Sequence, residues 1–229
     1  MNFQIVTIDG KRGTGKSRLA SALRAYFDCG VLDIGPLFRL LTWFIRSGMT
    51  QNPEDAYKML GELWHGKSDL LIDLHSGGTM SATKIEFRGR DMESTLWQPA
   101  IDDLLPTVSE DEPVIRSLGN LIRTMVKDSP TIVVGRNTGV QLFSDALLKI
   151  RLVADDAIRQ ERKLRQLSEE FEMSGAMDIE RSEPFLENLQ FDDYATLDTS
   201  RLAPDQAFRS AKNLISSRVL WTPRNTNES

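Results

Sequence analysis

The residues Gly10-Lys11-Arg12-Gly13-Thr14-Gly15-Lys16-Ser17 combine three glycines, a lysine and a hydroxyl at a spacing suited to gripping an anion. Glycines let the backbone curl until successive N–H groups point inward, and a helix start adds partial positive charge at the same place. In such a loop a lysine at position 16 reaches the β- and γ-phosphates of a nucleoside triphosphate, and a hydroxyl at position 17 holds Mg²⁺. Gly10, Arg12, Gly13, Thr14, Gly15, Lys16 and Ser17 are therefore the candidate phosphate cradle. The context is the one a phosphate-binding loop needs. The apolar run 3–8 reads as a strand before it, and Leu19, Ala20, Leu23, Tyr26 and Phe27 follow at helical spacing. A glycine turn without a ligand is the plainer alternative, and the flanking strand and helix count against it.

The elements that must position this loop alternate along the chain. Residues 31–34 read as a second strand, Gly35-Pro36 as a turn, and 36–46 as a helix with Leu37, Leu40, Leu41 and Phe44 on one face. Asn52-Pro53-Glu54-Asp55 has an N-cap, a proline at the first helical position and acids in the first turn, so a helix to about Trp64 is expected. Two strand-like runs, 69–74 and 84–88, flank a glycine-containing turn, and 49–110 reads as a small α+β insertion. A helix over 113–127, buried strands at 131–134 and 149–154, a charged helix from Asp155-Asp156, a strand at 195–198 and a last helix from Pro204 complete the pattern. Strands alternating with helices predict an α/β fold, a five-stranded parallel sheet with helices on both faces. The core would comprise 1–48 and 111–220, with 173–193 as a cover over the site and 221–229 as a disordered tail. Ligands of such sheets lie beyond the carboxyl ends of the strands. Three short sequences fall there: the glycine-rich loop, Leu32-Asp33-Ile34-Gly35, and Gly135-Arg136-Asn137-Thr138-Gly139.

Composition narrows the classes. A chain of 229 residues with net charge −5 lacks the basic balance of a general nucleic-acid surface, and no polymer partner is expected. Cys29 is the only cysteine, which excludes an intramolecular disulfide and reads as a small buried residue. No run approaches 18 apolar residues, and no basic segment followed by an apolar one opens the sequence, so no membrane partner and a cytoplasmic monomer are the expectations. His65 and His75, the only histidines, have no helical or carboxylate partner in the pattern and read as surface residues.

The three loop sequences, in this order, resemble the bacterial cytidylate kinase family, which phosphorylates CMP and dCMP. Leu32-Asp33-Ile34-Gly35-Pro36-Leu37-Phe38-Arg39 is similar to the family's Leu-Asp-Thr/Ser-Gly-Ala-Xaa-Tyr-Arg, and Gly135-Arg136-Asn137-Thr138-Gly139 to its Gly-Arg-Asp-Xaa-Gly. Val114-Ile115-Arg116 through Arg123, Asp145-Ala146-Leu147-Leu148-Lys149-Ile150, and Glu161-Arg162 with Arg165 resemble further family fragments, spread over about residues 3–216. The resemblance implies a P-loop kinase fold, ATP and Mg²⁺ as cofactors, and small nucleotide substrates. It places the acceptor phosphate on Arg39, Arg116 and Arg136, the acceptor base or sugar near Asn137, and the metal's water shell near Asp33. The insertion becomes the monophosphate-binding region.

Some positions depart from the family pattern. Ile34 stands in place of a hydroxyl residue and Asn137 in place of an aspartate. The stretch 179–188, where the family supplies several arginines to the transferring phosphoryl group, holds Arg181 alone. Arg162 and Arg165, with Arg159, are candidates to substitute from the preceding helix. The expectation is an ATP-dependent phosphotransferase acting on a CMP-like monophosphate. The alternatives are a divergent kinase of another phosphorylated small molecule and a nucleotide-binding regulator with little turnover.

Overall fold

The computed structural model describes residues 4–66, 69–77, 81–127, 129–170, 191–221 and 223–224. β1 (Ile5–Asp9) runs into the glycine-rich loop and α1 (Lys16–Phe27), then β2 (Gly30–Asp33) and α2 (Ile34–Arg46). After α3 (Pro53–Gly66) come β3 (Leu70–Asp73), β4 (Lys84–Phe87) and β5 (Arg90–Asp91), then α4 (Glu93–Leu96) and α5 (Pro99–Ser109). The alternation resumes with α6 (Glu112–Met125), β6 (Thr131–Gly135), α7 (Thr138–Gln141), β7 (Leu148–Val153), α8 (Asp156–Glu170), β8 (Ala195–Asp198) and α9 (Pro204–Arg218).

The main sheet has the order β2-β6-β1-β7-β8, and all four of its pairings are parallel. Its strands alternate between two apolar layers, as the two-residue period of a strand requires. Ile5, Leu32 and Val133 face a layer built with Leu37, Leu41, Phe44 and Leu118 of α2 and α6. Val6, Ile8, Val31, Ile132 and Val134 face the other, with Leu19 and Leu23 of α1 and Ala211 and Ile215 of α9. The expected doubly covered parallel sheet is present. Cys29 lies in the second layer, and burial pushes its thiol up to about 12, so it behaves as a small core residue.

Two boundaries differ from the sequence reading. Ile34 and Gly35 belong to α2, not to a strand and a turn, because the Asp33 carboxylate accepts the Gly35 N–H at 3.0 Å and starts the helix there. Pro36 sits in the first turn, where its missing N–H costs nothing. In the 49–110 stretch the expected helix and two strands are present, with Asn52 accepting the Asp55 N–H at 2.9 Å. β5, α4 and α5 were not foreseen: β5 and α4 are too short to show a period, while Ile101, Leu104, Leu105 and Val108 of α5 carry a helical spacing that the reading passed over. The region packs into the same core as the main body. Leu70, Ile72, Ile85, Phe87 and Leu96 join the layer of α2 and α6. Val31 N–H also donates to Leu74 O at 2.8 Å, and the Thr83 hydroxyl donates to Val31 O at 3.0 Å while accepting the Asp33 N–H at 2.7 Å. His65 and His75 are exposed.

The expected tail begins too early. Trp221 is 6% exposed, its ring lies edge-on to Phe27 with centroids 5.9 Å apart, and Arg224 N–H donates to Tyr26 O at 2.8 Å. Trp221 follows Val219 and Leu220 past the end of the last helix, where three apolar residues in a row carry no period to mark which of them is core. Trp221→Ala should lower the unfolding free energy by about 3 kcal/mol, the usual cost of emptying a buried aromatic site. Chemical denaturation checks this, and a loss below about 0.5 kcal/mol, the scale of a surface change, would show that the fold ends before Trp221.

Candidate active site

The sheet order makes neighbours of the three strand ends singled out in the sequence. β2, β6 and β1 are adjacent, so Asp33, Arg136-Asn137 and the glycine-rich loop open on one cleft of about 1200 Å³.

The loop is built around its carbonyls. Lys11 O accepts the Thr14 hydroxyl at 2.8 Å and the Lys16 ammonium at 3.0 Å. Arg12 O accepts Arg159 Nη1 at 3.2 Å, and Gly13 O accepts Arg162 Nη1 at 3.4 Å. Thr14 O accepts the Thr199 hydroxyl at 3.0 Å, and Gly15 O accepts Leu19 N–H at 3.0 Å. These bonds occupy the carbonyls of Lys11 through Gly15, and N–H groups at a helix start such as that of α1 are the groups that bind an anion. Gly13 has φ +81°, and a Cβ there would lie 2.7 Å from Arg159 O. Only glycine lets α8 come this close. Arg12 through Ser17 line the cleft, while Gly10 joins β1 to the loop behind it.

Asp33 and Ser17 stand beside Lys16. Burial pushes the Asp33 carboxyl above the ordinary carboxylate range; the Gly35 N–H, the Lys16 charge and the Ser81 and Ser17 hydroxyls oppose it. A carboxylate and a hydroxyl at a phosphate cradle form a hard oxygen set, the kind Mg²⁺ takes alongside phosphate and water. These residues fit the metal the sequence implied.

The arginines divide into distinct environments. Arg136 is exposed and lines the cleft with Asn137, whose side chain makes no cap hydrogen bond to α7. Arg39 also reaches the cleft but is 5% exposed, with Nη2 donating to Asp102 at 2.7 Å and Nη1 to Leu96 O at 3.0 Å. The Trp97 ring lies 4.1 Å from the Arg39 guanidinium and 5.3 Å from that of Arg12, linking α2 to the glycine-rich loop. Arg116 is exposed on α6 and is not among the cleft's lining residues. Arg162 donates to Thr199 O at 2.6 Å and its hydroxyl at 3.2 Å as well as to Gly13 O, so it braces the loop. Arg165 lines the cleft and pairs with Glu161 at 2.7 Å. Arg181 lies outside the described residues, as does most of the stretch 173–193.

Sequence reasoning did not find Thr199, Trp97 or Asp102. Thr199 was within reach, since it directly follows the carboxyl end of β8, where ligand-side residues gather. Trp97 and Asp102 carried no such signal.

The family described as Cytidylate kinase matches residues 6–206 of the chain. The chain belongs to the cytidylate kinase family. A cytidylate kinase of Acinetobacter baumannii (strain AYE) is 25% identical, with 96% of this chain and 99% of that protein covered. A bifunctional pantoate ligase/cytidylate kinase of Synechocystis sp. is 30% identical over 78% of this chain and 34% of its own length. Among solved structures, one from Thermus thermophilus matches at 15% identity and a TM-score of 0.41, covering 95% of this chain and 98% of that one, too distant to bear on the argument. With the family comes its enzyme class: the protein is a nucleoside monophosphate kinase, a phosphotransferase. Among the described residues no helix is long and apolar enough to cross a membrane.

Asp33 gives this site a pH signature. Its folded pKa lies above the unfolded value, so the folded state holds the proton to higher pH and ionising Asp33 subtracts stability as pH rises. Asp33→Asn keeps an oxygen for the Gly35 N–H and removes the charge. It should raise the melting temperature at pH 7, with a gain that shrinks toward pH 4, while weakening Mg²⁺-dependent nucleotide binding. Thermal melts across that range check the sign, and a lower midpoint at pH 7 would contradict it.

Proposed function

We propose that the protein transfers the terminal phosphoryl group of ATP to a nucleoside monophosphate of the CMP or dCMP type. The observation that carries this reading is the convergence of the glycine-rich loop, Asp33 and Arg136-Asn137 on one cleft from three adjacent strands. An oxygen of the acceptor phosphate attacks the γ-phosphorus, the bridging bond to the β-phosphate breaks, and ADP leaves. The acceptor phosphate is already a nucleophile, so no side chain need act as base, and positioning with charge neutralisation carries the rate.

Each residue then has a task. Loop N–H groups and Lys16 hold the donor phosphates. Ser17 and Asp33 hold Mg²⁺, which neutralises charge on the phosphate oxygens when bound. Arg136 grips the acceptor phosphate, a role for which the planar guanidinium fork is suited. Arg39, already bonded to Asp102, forms the wall on which Trp97 stacks. Arg165 borders the donor side, and Arg162 keeps the loop in shape.

Arg162 favours one second reading. An arginine bonded to Gly13 O and Thr199 is less available to a transition state, where an arginine is worth on the order of 10³–10⁵ in rate. A nucleotide-binding regulator with slow turnover follows if no other arginine supplies that charge.

The acceptor pocket discriminates by Asn137 and Ile34. Asn137 offers an uncharged amide with donors and an acceptor where an aspartate would only accept. Ile34 fills the wall so closely that its Cδ1 would lie 2.9 Å from a Cβ on Gly135. CMP is therefore expected to be a weak substrate. Asn137→Asp with Ile34→Thr should raise kcat/KM for CMP roughly tenfold to thirtyfold, about 1 kcal/mol per new hydrogen bond, with ATP affinity unchanged. ADP release measured over CMP, dCMP, UMP, AMP and non-nucleotide phosphates tests both points. Turnover confined to non-nucleotide phosphates, or ATP-induced stabilisation with none, overturns the reading. Flat CMP kinetics in the double variant overturn this account of the pocket.

A further inference from the structure

Asp9 closes β1 immediately before the glycine-rich loop and is 0% exposed. Its carboxylate is met by four donors. Oδ1 accepts the Thr138 N–H at 2.7 Å and the Thr138 hydroxyl, and Oδ2 accepts the Gly139 N–H at 2.9 Å and the Tyr194 hydroxyl at 2.7 Å. A buried carboxylate is tolerated when its lone pairs are filled in this way, and charge-assisted bonds of this kind are strong. Three of the donors come from the first residues of α7, two and three positions after Arg136. The fourth comes from Tyr194, the residue directly before the edge strand β8.

Tyr194 is placed for that one bond. Its N–H donates to Phe191 O at 3.1 Å, its ring meets Phe191 edge-on with centroids 5.0 Å apart, and Phe191 lies 3.9 Å from the Arg151 guanidinium. The neighbouring Asp193 pairs with Lys149 on β7. A Cβ on Gly139 would lie 2.4 Å from the Tyr194 hydroxyl and 2.6 Å from the Thr7 hydroxyl, so α7 can approach only because that residue is glycine. Burial and the Asp9 charge push the phenol far above its usual value, which keeps it protonated and donating throughout the working pH range.

We propose that Tyr194 is a positioning residue for phosphoryl transfer: its hydroxyl fixes the Asp9 carboxylate, which holds the start of α7 and so aims Arg136 and Asn137 into the cleft. The Asp9 backbone is itself pinned by strand pairing to Gly135 on one side and Arg151 on the other. The consequence of losing the hydroxyl therefore falls on α7 and not on the glycine-rich loop. The role of Arg136 in this proposal rests on the function proposed above.

Tyr194→Phe removes the hydroxyl and keeps the ring. Amide exchange at Thr138 and Gly139 should quicken about tenfold, and kcat with a nucleotide acceptor should fall about tenfold, with KM for ATP changed less than about twofold. In an Arg136→Ala background the same substitution should change kcat less than about twofold, because coupled residues are not additive. Unchanged exchange at the two amides overturns the proposal, and so does an equal loss of kcat in both backgrounds, which marks a merely structural bond. If the wild type transfers phosphate to no nucleotide, the proposed function fails, and the exchange measurement still decides whether Tyr194 holds the loop.

Discussion

The ligand end of this molecule depends on where the carbonyls of the glycine-rich loop point. A loop that offers its N–H groups to an anion must turn its C=O groups the other way, and buried backbone acceptors need partners. Here Lys11 through Gly15 each find one, from within the loop, from α1, from Arg159 and Arg162 of α8, and from Thr199 after β8. The shape of the cradle is therefore a property of three elements that are far apart in sequence. It also gives Arg159 and Arg162 on the charged face of α8 a task, since both bond the loop's backbone.

A second constraint joins the two sides of the cleft. The sheet order sets β1 beside β6, so the glycine-rich loop and the Arg136 loop start from neighbouring, paired residues, Asp9 and Gly135. The insertion reaches the same cleft from the other direction. Its strands bury their apolar face against α2 and α6, while Thr83 bridges to the end of β2 next to Asp33. Trp97 completes the wall between Arg12 and Arg39. These walls of the cleft share one core with the sheet.

Much of the fold was legible in the sequence, because a parallel sheet announces itself through short apolar strands and amphipathic helices between them. The five main strands lie where the apolar runs placed them, and the glycine-rich loop, Asp33, Arg136 and Asn137 open on one cleft. What the sequence left unread has a common cause: it depends on tertiary partners with no local period. Ile34 looks like a strand end until the Asp33 carboxylate caps α2. Arg39 reads as a phosphate ligand, and its pairing with Asp102, 63 residues away, leaves no mark on the local sequence. Arg162 reads as a cation for the transferring phosphoryl group, and its bonds to Gly13 O and Thr199 O join elements the sequence does not bring together. Trp221 looks like part of a tail until Phe27 is found beneath it.

The central claim is that one cleft brings a donor triphosphate and an acceptor phosphate together for direct transfer. It is tested most directly by supplying ATP labelled in the γ-phosphate, with Mg²⁺ and an excess of CMP, and following the label. The account predicts that label moves into the terminal phosphate of the nucleoside diphosphate, and that Lys16→Ala abolishes this transfer without unfolding the protein. Label released only as inorganic phosphate, or transfer that persists undiminished in Lys16→Ala, would contradict it.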